Sequence, residues 1–322
     1  MSGSNPFIPN PDFFDRRIRG MWFTGGGNGA VFHTHGERAG DEGIWNAAGQ
    51  VRGIYDAPIQ TTWKTGAHME GSKQKSKKAL HRDLELGFHC CETYFPPRSA
   101  EDNESEFRKI FDYEVDEWDD DPEPTTLHID TDKSGERRMD VLLSESPIFE
   151  PDVDPIEQQY INLLLKVRAG DPMWYQEPVV STFHSTAQTA SGYIDVSNPT
   201  DQPMRHKWIL TRATWTLPDV SWRGGKYRRH PGGVHKNRSL TLPAIGDAQG
   251  GAVVDLDRSK LMIRDVHYTN LLPLMGGRFF EYVIPPYTPH QQLPISYANA
   301  PFGGATAKLV QPRRWSRPWG LE

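Results

Sequence analysis

Cysteine is almost missing: the only two, Cys90 and Cys91, are neighbours. A disulfide framework needs separated partners, and a bridge between neighbours is strained, so both are expected reduced, one on each side of a strand. Long apolar runs are missing as well, and no stretch reaches the roughly 18 residues of a membrane-spanning helix. The opening Met1-Ser2-Gly3-Ser4-Asn5-Pro6 lacks the charged and apolar regions of a secretory signal. Together these absences predict a soluble protein made in the cytosol. A basic excess is missing too: the formal net charge is −6 and the pI is ≈ 6.1, whereas a nucleic-acid-binding domain usually lies above about 9. The sequence contains no Gly-x-Ser-x-Gly, no His-Glu-x-x-His and no catalytic Cys-His pattern. Carboxylates are plentiful, but nothing selects a glycosidase pair. No catalytic residue, cofactor site or metal site is assigned, and an enzyme is not expected.

What is present points to strands. Gly (29) and Pro (26) make roughly 17% of the chain against about 12% in average usage, and 322 residues suffice for two domains. Met21-Trp22-Phe23 and Val31-Phe32-His33 flank the glycine-rich residues 25–29 as a hairpin. That run lacks the Lys-Ser/Thr of a phosphate loop, and no helix follows it. Two more strands are expected within residues 45–63. Leu84, Leu86, Phe88 and Cys90 alternate on one face of the next. One helix is clear, with Ser99 as cap, Glu101, Asp102 and Glu104 in its first turns, and Phe107, Ile110 and Phe111 at helical spacing. Residues 125–130 and 137–143 read as a hairpin, and residues 156–167 fit strand or helix. Pro172 in Asp171-Pro172-Met173-Trp174-Tyr175 stops the arriving element. Beyond it, strands are expected at 192–197, 206–217, 238–242, 251–256, 260–266, 279–284 and 305–310, with Asn198-Pro199-Thr200-Asp201 as a hairpin connection between the first two. Regular short strands suggest sandwiches, preceded by an extended arm.

Each candidate for chemistry has a blander counterpart. His33 and His35 with Glu37 offer three potential ligands in five residues, yet no second cluster completes a metal site. Residues 130–135 follow a calcium loop, but the twelfth position is Val141, so a hairpin turn is preferred. Trp208, Trp215 and Trp222 are spaced like a sugar platform. Buried core rings fit better, the first two facing opposite sides of one regular strand. Lys73, Lys75, Lys77 and Lys78 form a basic run that in most proteins is a solvated loop. The acidic stretch over residues 114–123, with Asp116, Asp119, Asp120 and Asp121, is long enough to be its complement and is expected to meet it across a subunit interface. Arg314, Trp315, Arg317 and Trp319 close the chain as a strap docked on its own domain or on a neighbouring subunit.

Asp-Pro-Met-Trp-Tyr at 171–175, Val-Ser-Asn-Pro-Thr-Asp at 196–201, Val254-Asp255-Leu256-Asp257 and the ending Arg313-Arg314-Trp315-Ser316-Arg317-Pro318-Trp319-Gly320, taken in order, resemble minor tail proteins of actinobacterial siphophages, of the distal tail protein type. The resemblance runs from about Trp22 onward. It implies a mainly β chain with an arm at 1–18, a ring-forming β-sandwich belt domain with one short helix at 19–175, a galectin-like β-sandwich at 176–311 and a strap at 312–322. It further implies a structural virion protein at the tail tip that forms a ring, in this family a hexamer, joining the tail tube protein to the tail tip hub protein, with the tape measure protein in the lumen. No membrane and no sequence-specific nucleic acid are expected as partners. The alternative is a carbohydrate-binding module for host cell-surface attachment.

Overall fold

The computed structural model describes residues 19–322 except Asn28, Met69, Asp121 and Asp152; the expected arm at 1–18 lies outside them. The described chain is mainly β and divides into two compact units. One holds residues up to Tyr175 together with Ser316–Leu321, and the other holds Gln176–Trp315.

In the first unit β1 (Gly20–Gly25) and β2 (Ala30–Gly36) form the expected hairpin, and β3 (Ile44–Arg52) follows. Next come β4 (Ile59–Lys64), β5 (Lys73–Ala79), β6 (Arg82–Cys91) and the two-residue partners β7 (Thr93–Tyr94) and β8 (Pro97–Arg98). Leu84, Leu86, Phe88 and Cys90 on β6 are all buried, as their alternation demands. Helix α1 (Ala100–Arg108) is capped by Ser99, whose side chain accepts the Asp102 N–H while the Asp102 carboxylate accepts the Ser99 N–H. This reciprocal box satisfies two orphan donors of the first turn. Then follow β9 (Thr125–Asp130), β10 (Arg137–Leu143), the one-turn α2 (Pro155–Gln158), β11 (Tyr160–Ala169) and β12 (Trp174–Ser185), which carries the chain into the second unit. The ambiguity over 156–167 resolves into both forms in succession, with Gln159 at φ 49 ending the helix. One expected short helix thus becomes two.

Within the first unit the following pairings are antiparallel. β2-β1-β9-β10 run side by side, β10 joins β11 through only two residue pairs, and β6 and β3 follow β11. That thin junction lets the sheet fold over itself. Phe23 of β1 meets Phe88 of β6 at 5.5 Å between ring centroids, and Phe107 of α1 lies 5.9 Å from Phe23 and 4.8 Å from Phe88. Of the residues whose spacing announced the helix, Phe107 lies within α1, while Ile110 and Phe111 are buried just past its end.

The second unit contains β13 (Ala190–Asn198), β14 (Lys207–Leu210), β15 (Thr214–Pro218), β16 (Trp222–Arg223), β17 (His230–Pro231), β18 (Ser239–Thr241), β19 (Ala252–Asp255), β20 (Ile263–Asp265), β21 (Thr288–Ala298) and β22 (Ala305–Trp315). One sheet has the order β13-β21-β15-β18, and in the other β22-β14-β19-β20 lie side by side. Three expectations are corrected here. The turn at Asn198 does not close a hairpin, because β13 pairs with β21 while β14 pairs with β19 and β22. The buried Asn198 amide instead donates to the Gln202, Ile284 and Pro285 carbonyls and fixes the crossing between sheets. Residues 206–217 are two strands, interrupted where Trp215 Nε1 donates to the Thr211 carbonyl. The interruption turns both Trp208 and Trp215 into the core, at 1% and 0% exposure. Residues 279–284 form no strand, and the 11-residue β21 takes the central place.

Candidate assembly surfaces

The basic run is a strand and not a solvated loop. Lys73, Lys75, Lys77 and Lys78 lie on β5, which pairs only with β4, and every residue of β4 is exposed. A bulge between Thr62 and Trp63 shifts the register. The four ammonium groups have no carboxylate partner among the described residues. Ile59 and Trp63, the latter 56% exposed, add apolar surface to the same hairpin. Two strands alone in water are marginal.

The acidic stretch is an exposed irregular segment of the same unit, and Asp121 within it lies outside the described residues. Asp116 Oδ1 accepts the Trp118 N–H at 2.9 Å, and the Trp118 ring is 88% exposed. Glu114, Asp116, Asp119 and Glu123 line an open cavity of about 130 Å³ together with Lys109. Asp120 is exposed beside them. Both charged segments therefore belong to the first unit, and each offers an exposed indole.

The chain ending separates into two parts. Trp315 is the last residue of β22 and is buried in the second unit, its Nε1 donating to Gln176 Oε1 at 3.0 Å. Arg314 precedes it, half-buried. With Arg205 it makes a lesser contribution to holding the Asp257 carboxyl below the usual carboxylate range, after the backbone N–H of Ser259. Ser316–Leu321 belong to the first unit. There the buried Arg82 guanidinium spends every N–H on carbonyls: Nε and Nη2 on Pro172, Nη1 on Gly53 and Ile54, and Nη2 also on Ser316. Burial lowers the Arg82 pKa to about 10, with Asp56 acting in the opposite sense. Buried Arg137 donates through Nη1 to the Arg317 and Gly320 carbonyls. The Arg317 guanidinium pairs with Asp56 and lies 4.7 Å above the Tyr55 ring, against which Trp319 also rests at 5.5 Å. Pro172 and Trp174, whose Nε1 donates to Ile54 O, are thus parts of one anchor. Sequence reasoning did not single out Arg82 or Arg137, since a lone arginine in a strand carries no signal of burial.

The histidine cluster differs from its sequence reading. Glu42, not Glu37, receives both the His33 N–H at 2.8 Å and Nδ1 at 3.0 Å. His33, Asp41 and Glu42 each place a ligand atom within 4.8 Å of the others, but the Arg38 guanidinium already pairs with Asp41 and reaches Glu42. Residues 130–135 turn between β9 and β10, with the Gly135 N–H on the Thr131 carbonyl. Cys90 and Cys91 are free thiols, and burial pushes both upward. No helix among the described residues is long and apolar enough to cross a membrane.

No family model matches the chain. Among characterised proteins it is similar to the minor tail protein Gp27 of Mycobacterium phage L5, 26% identical over 337 residues that cover 89% of this chain and 96% of that protein. It is equally similar to Gp27 of Mycobacterium phage D29, 26% identical over 341 residues with the same coverage. Among solved structures it matches the crystal structure of the SPP1 Dit (gp 19.1) protein, described as a paradigm of the hub adsorption apparatus in phages infecting Gram-positive hosts. There the TM-score is 0.51 at 12% identity, covering 91% of this chain and 98% of that one. The resemblance to siphophage minor tail proteins and the mainly β fold are both borne out.

Proposed function

We propose that this chain is a structural protein of the phage virion that forms a ring at the distal end of a long non-contractile tail, joining the tail tube protein to the tail tip hub protein around the tape measure protein. The observation that carries this reading is similarity to minor tail proteins along nearly the whole of both chains. The surface of the first unit supports it. Among the described residues the β4–β5 hairpin has no third strand and its lysines face no carboxylate. Lysines are an ordinary means of keeping an edge strand from pairing. Exposed Ile59 and Trp63 oppose that purpose and suit a surface that is covered on assembly. The acidic segment of a neighbouring copy, with Trp118 beside its carboxylates, has the complementary charge and an apolar anchor. Ring closure then follows from repeating one heterologous contact around an axis.

The test is the mass of the purified chain in solution, with negative-stain images of the same sample and of a Lys75→Glu/Lys77→Glu/Lys78→Glu variant. A closed ring is expected for the native chain, together with roughly tenfold or greater weakening of self-association in the variant. Rings that persist unchanged in the variant would overturn the charge pairing. A native chain that stays monomeric both alone and with tail tube protein would overturn the ring.

A further inference from the structure

Between Asp219 and Asp247 the sequence has no carboxylate, and within that span stand Arg223, Lys226, Arg228, Arg229, Lys236 and Arg238. In a chain of net charge −6 this is a local reversal of sign. It lies in the second unit, around the short β16–β17 pair. Arg238 is neutralised by buried Asp219 and by Glu281. The other five cations have no carboxylate partner among the described residues. Four of them are exposed, and the fifth, Arg229, is half-buried with its Nε enclosed and unpartnered.

An ordinary solvated basic loop is not held in one shape, whereas this one is. The Gly232 N–H donates to Ser221 O, Ser221 Oγ donates to Gly232 O, the Ser221 N–H donates to His235 O and the Arg228 N–H donates to Gly225 O. Gly224 has φ +100, and a Cβ there would stand 2.3 Å from the Arg228 carbonyl, so only glycine fits. Tyr227 and Tyr287 both take the left-handed conformation, at φ 63 and φ 53, and are joined by a hydrogen bond from Tyr227 N to Tyr287 O. Such conformations are costly in bulky residues and collect at functional sites. Their rings meet at 4.9 Å, the Lys226 ammonium lies 5.0 Å from the Tyr287 ring, and Tyr227 remains 61% exposed. The result is a fixed ridge of guanidinium and ammonium groups beside an open aromatic face.

We propose that residues 222–238 form a binding surface for a phosphate-bearing polyol or sugar polymer. Guanidinium forks match phosphate oxygens in pairs, and an exposed tyrosine face suits the C–H surface of a polyol or sugar. A protein partner is disfavoured because the ridge lacks the desolvated apolar centre on which protein interfaces rest. Nucleic acid is disfavoured because single-strand binders stack successive bases on several rings, whereas the open aromatic face here is that of Tyr227.

The test uses the full-length chain, titrated with unsubstituted poly(glycerol phosphate), with neutral dextran and with single-stranded DNA of matched charge. Binding to poly(glycerol phosphate) is expected, weakening roughly tenfold between 50 and 200 mM salt. An Arg223→Gln/Lys226→Gln/Arg228→Gln variant, altered only at exposed side chains and checked for unchanged melting, is expected to lose at least roughly tenfold in affinity. An Arg258→Gln/Lys260→Gln/Lys308→Gln variant, which removes the same charge from exposed positions elsewhere in the second unit, is expected to bind like the native chain. No binding to poly(glycerol phosphate), equal losses in the two variants, equal binding of dextran, or tighter binding of DNA would each overturn the proposal.

Discussion

At the scale of single residues, the most consequential side chains are polar groups buried among strands. His206 sits in the core of the second unit, and burial lowers its pKa to about 4. Its Nδ1 and the Nε1 of neighbouring Trp208 are enclosed without a partner. Because the folded state holds this imidazole neutral while the unfolded chain lets it titrate near 6.5, its contribution is complete above about pH 6.5. It is lost as pH falls from there toward 4, by an amount on the order of 3 kcal/mol. Urea unfolding at pH 7 and pH 4.5 is expected to show this loss in the native chain and a smaller one in a His206→Phe variant. Equal acid losses would place the sensitivity in other groups. Nothing in Arg205-His206-Lys207 marks the central residue as interior. The flanking charges suggest a surface, and only the strand alternation through Trp208 and Leu210 argues otherwise.

At the scale of elements, legibility followed how local the determining physics was. The helix was legible because its cap, its acidic first turn and its apolar spacing all lie within about a dozen residues. Strand β6 was legible by alternation. Strand β21 was missed, and it carries Pro289 and Pro294, a residue type rare inside strands. Its pairing with β15 begins only at Ser296, so neither proline interrupts that ladder. Strand β4 was expected, but its partner β5 was hidden by the opposite problem, since a strand with no buried face has no alternation to reveal it. That same property gives a prediction. Replacing residues 59–79 by a short glycine-serine turn removes no buried packing from β4. It is expected to shift the melting temperature by less than about 4 °C, equivalent to roughly 1 kcal/mol, and to abolish self-association. Loss of folding would show the hairpin to be part of the first unit's core, and intact self-association would remove it from the interface.

At the scale of the whole molecule, the sequence marked a change near Tyr175 and a tail of rings and cations at the end. The pairing of that tail with Arg82 and Arg137 was not legible, because it joins positions 180 to 234 residues apart through backbone carbonyls, which carry no residue identity. Ending the chain after Trp315 removes the Ser316, Arg317 and Gly320 acceptors and leaves two buried guanidinium groups short of partners. A loss on the order of 2–5 kcal/mol is expected. Calorimetry of the truncated and full-length chains is expected to show one lowered and one unchanged transition, if the units melt separately. An unchanged trace would mean that the tail is dispensable.

The same strap gives synthesis a direction. Domains emerging from the ribosome fold in order, at about 5–20 residues per second, so the first unit is exposed long before its last segment exists. For roughly ten to thirty seconds Arg82 and Arg137 await carbonyls that have not been translated, while the second unit is made in between. The unit that carries the lysine hairpin is therefore completed only after residues 316–321 have been translated, and a copy terminated before them would reach the assembly pool with its first unit unsealed.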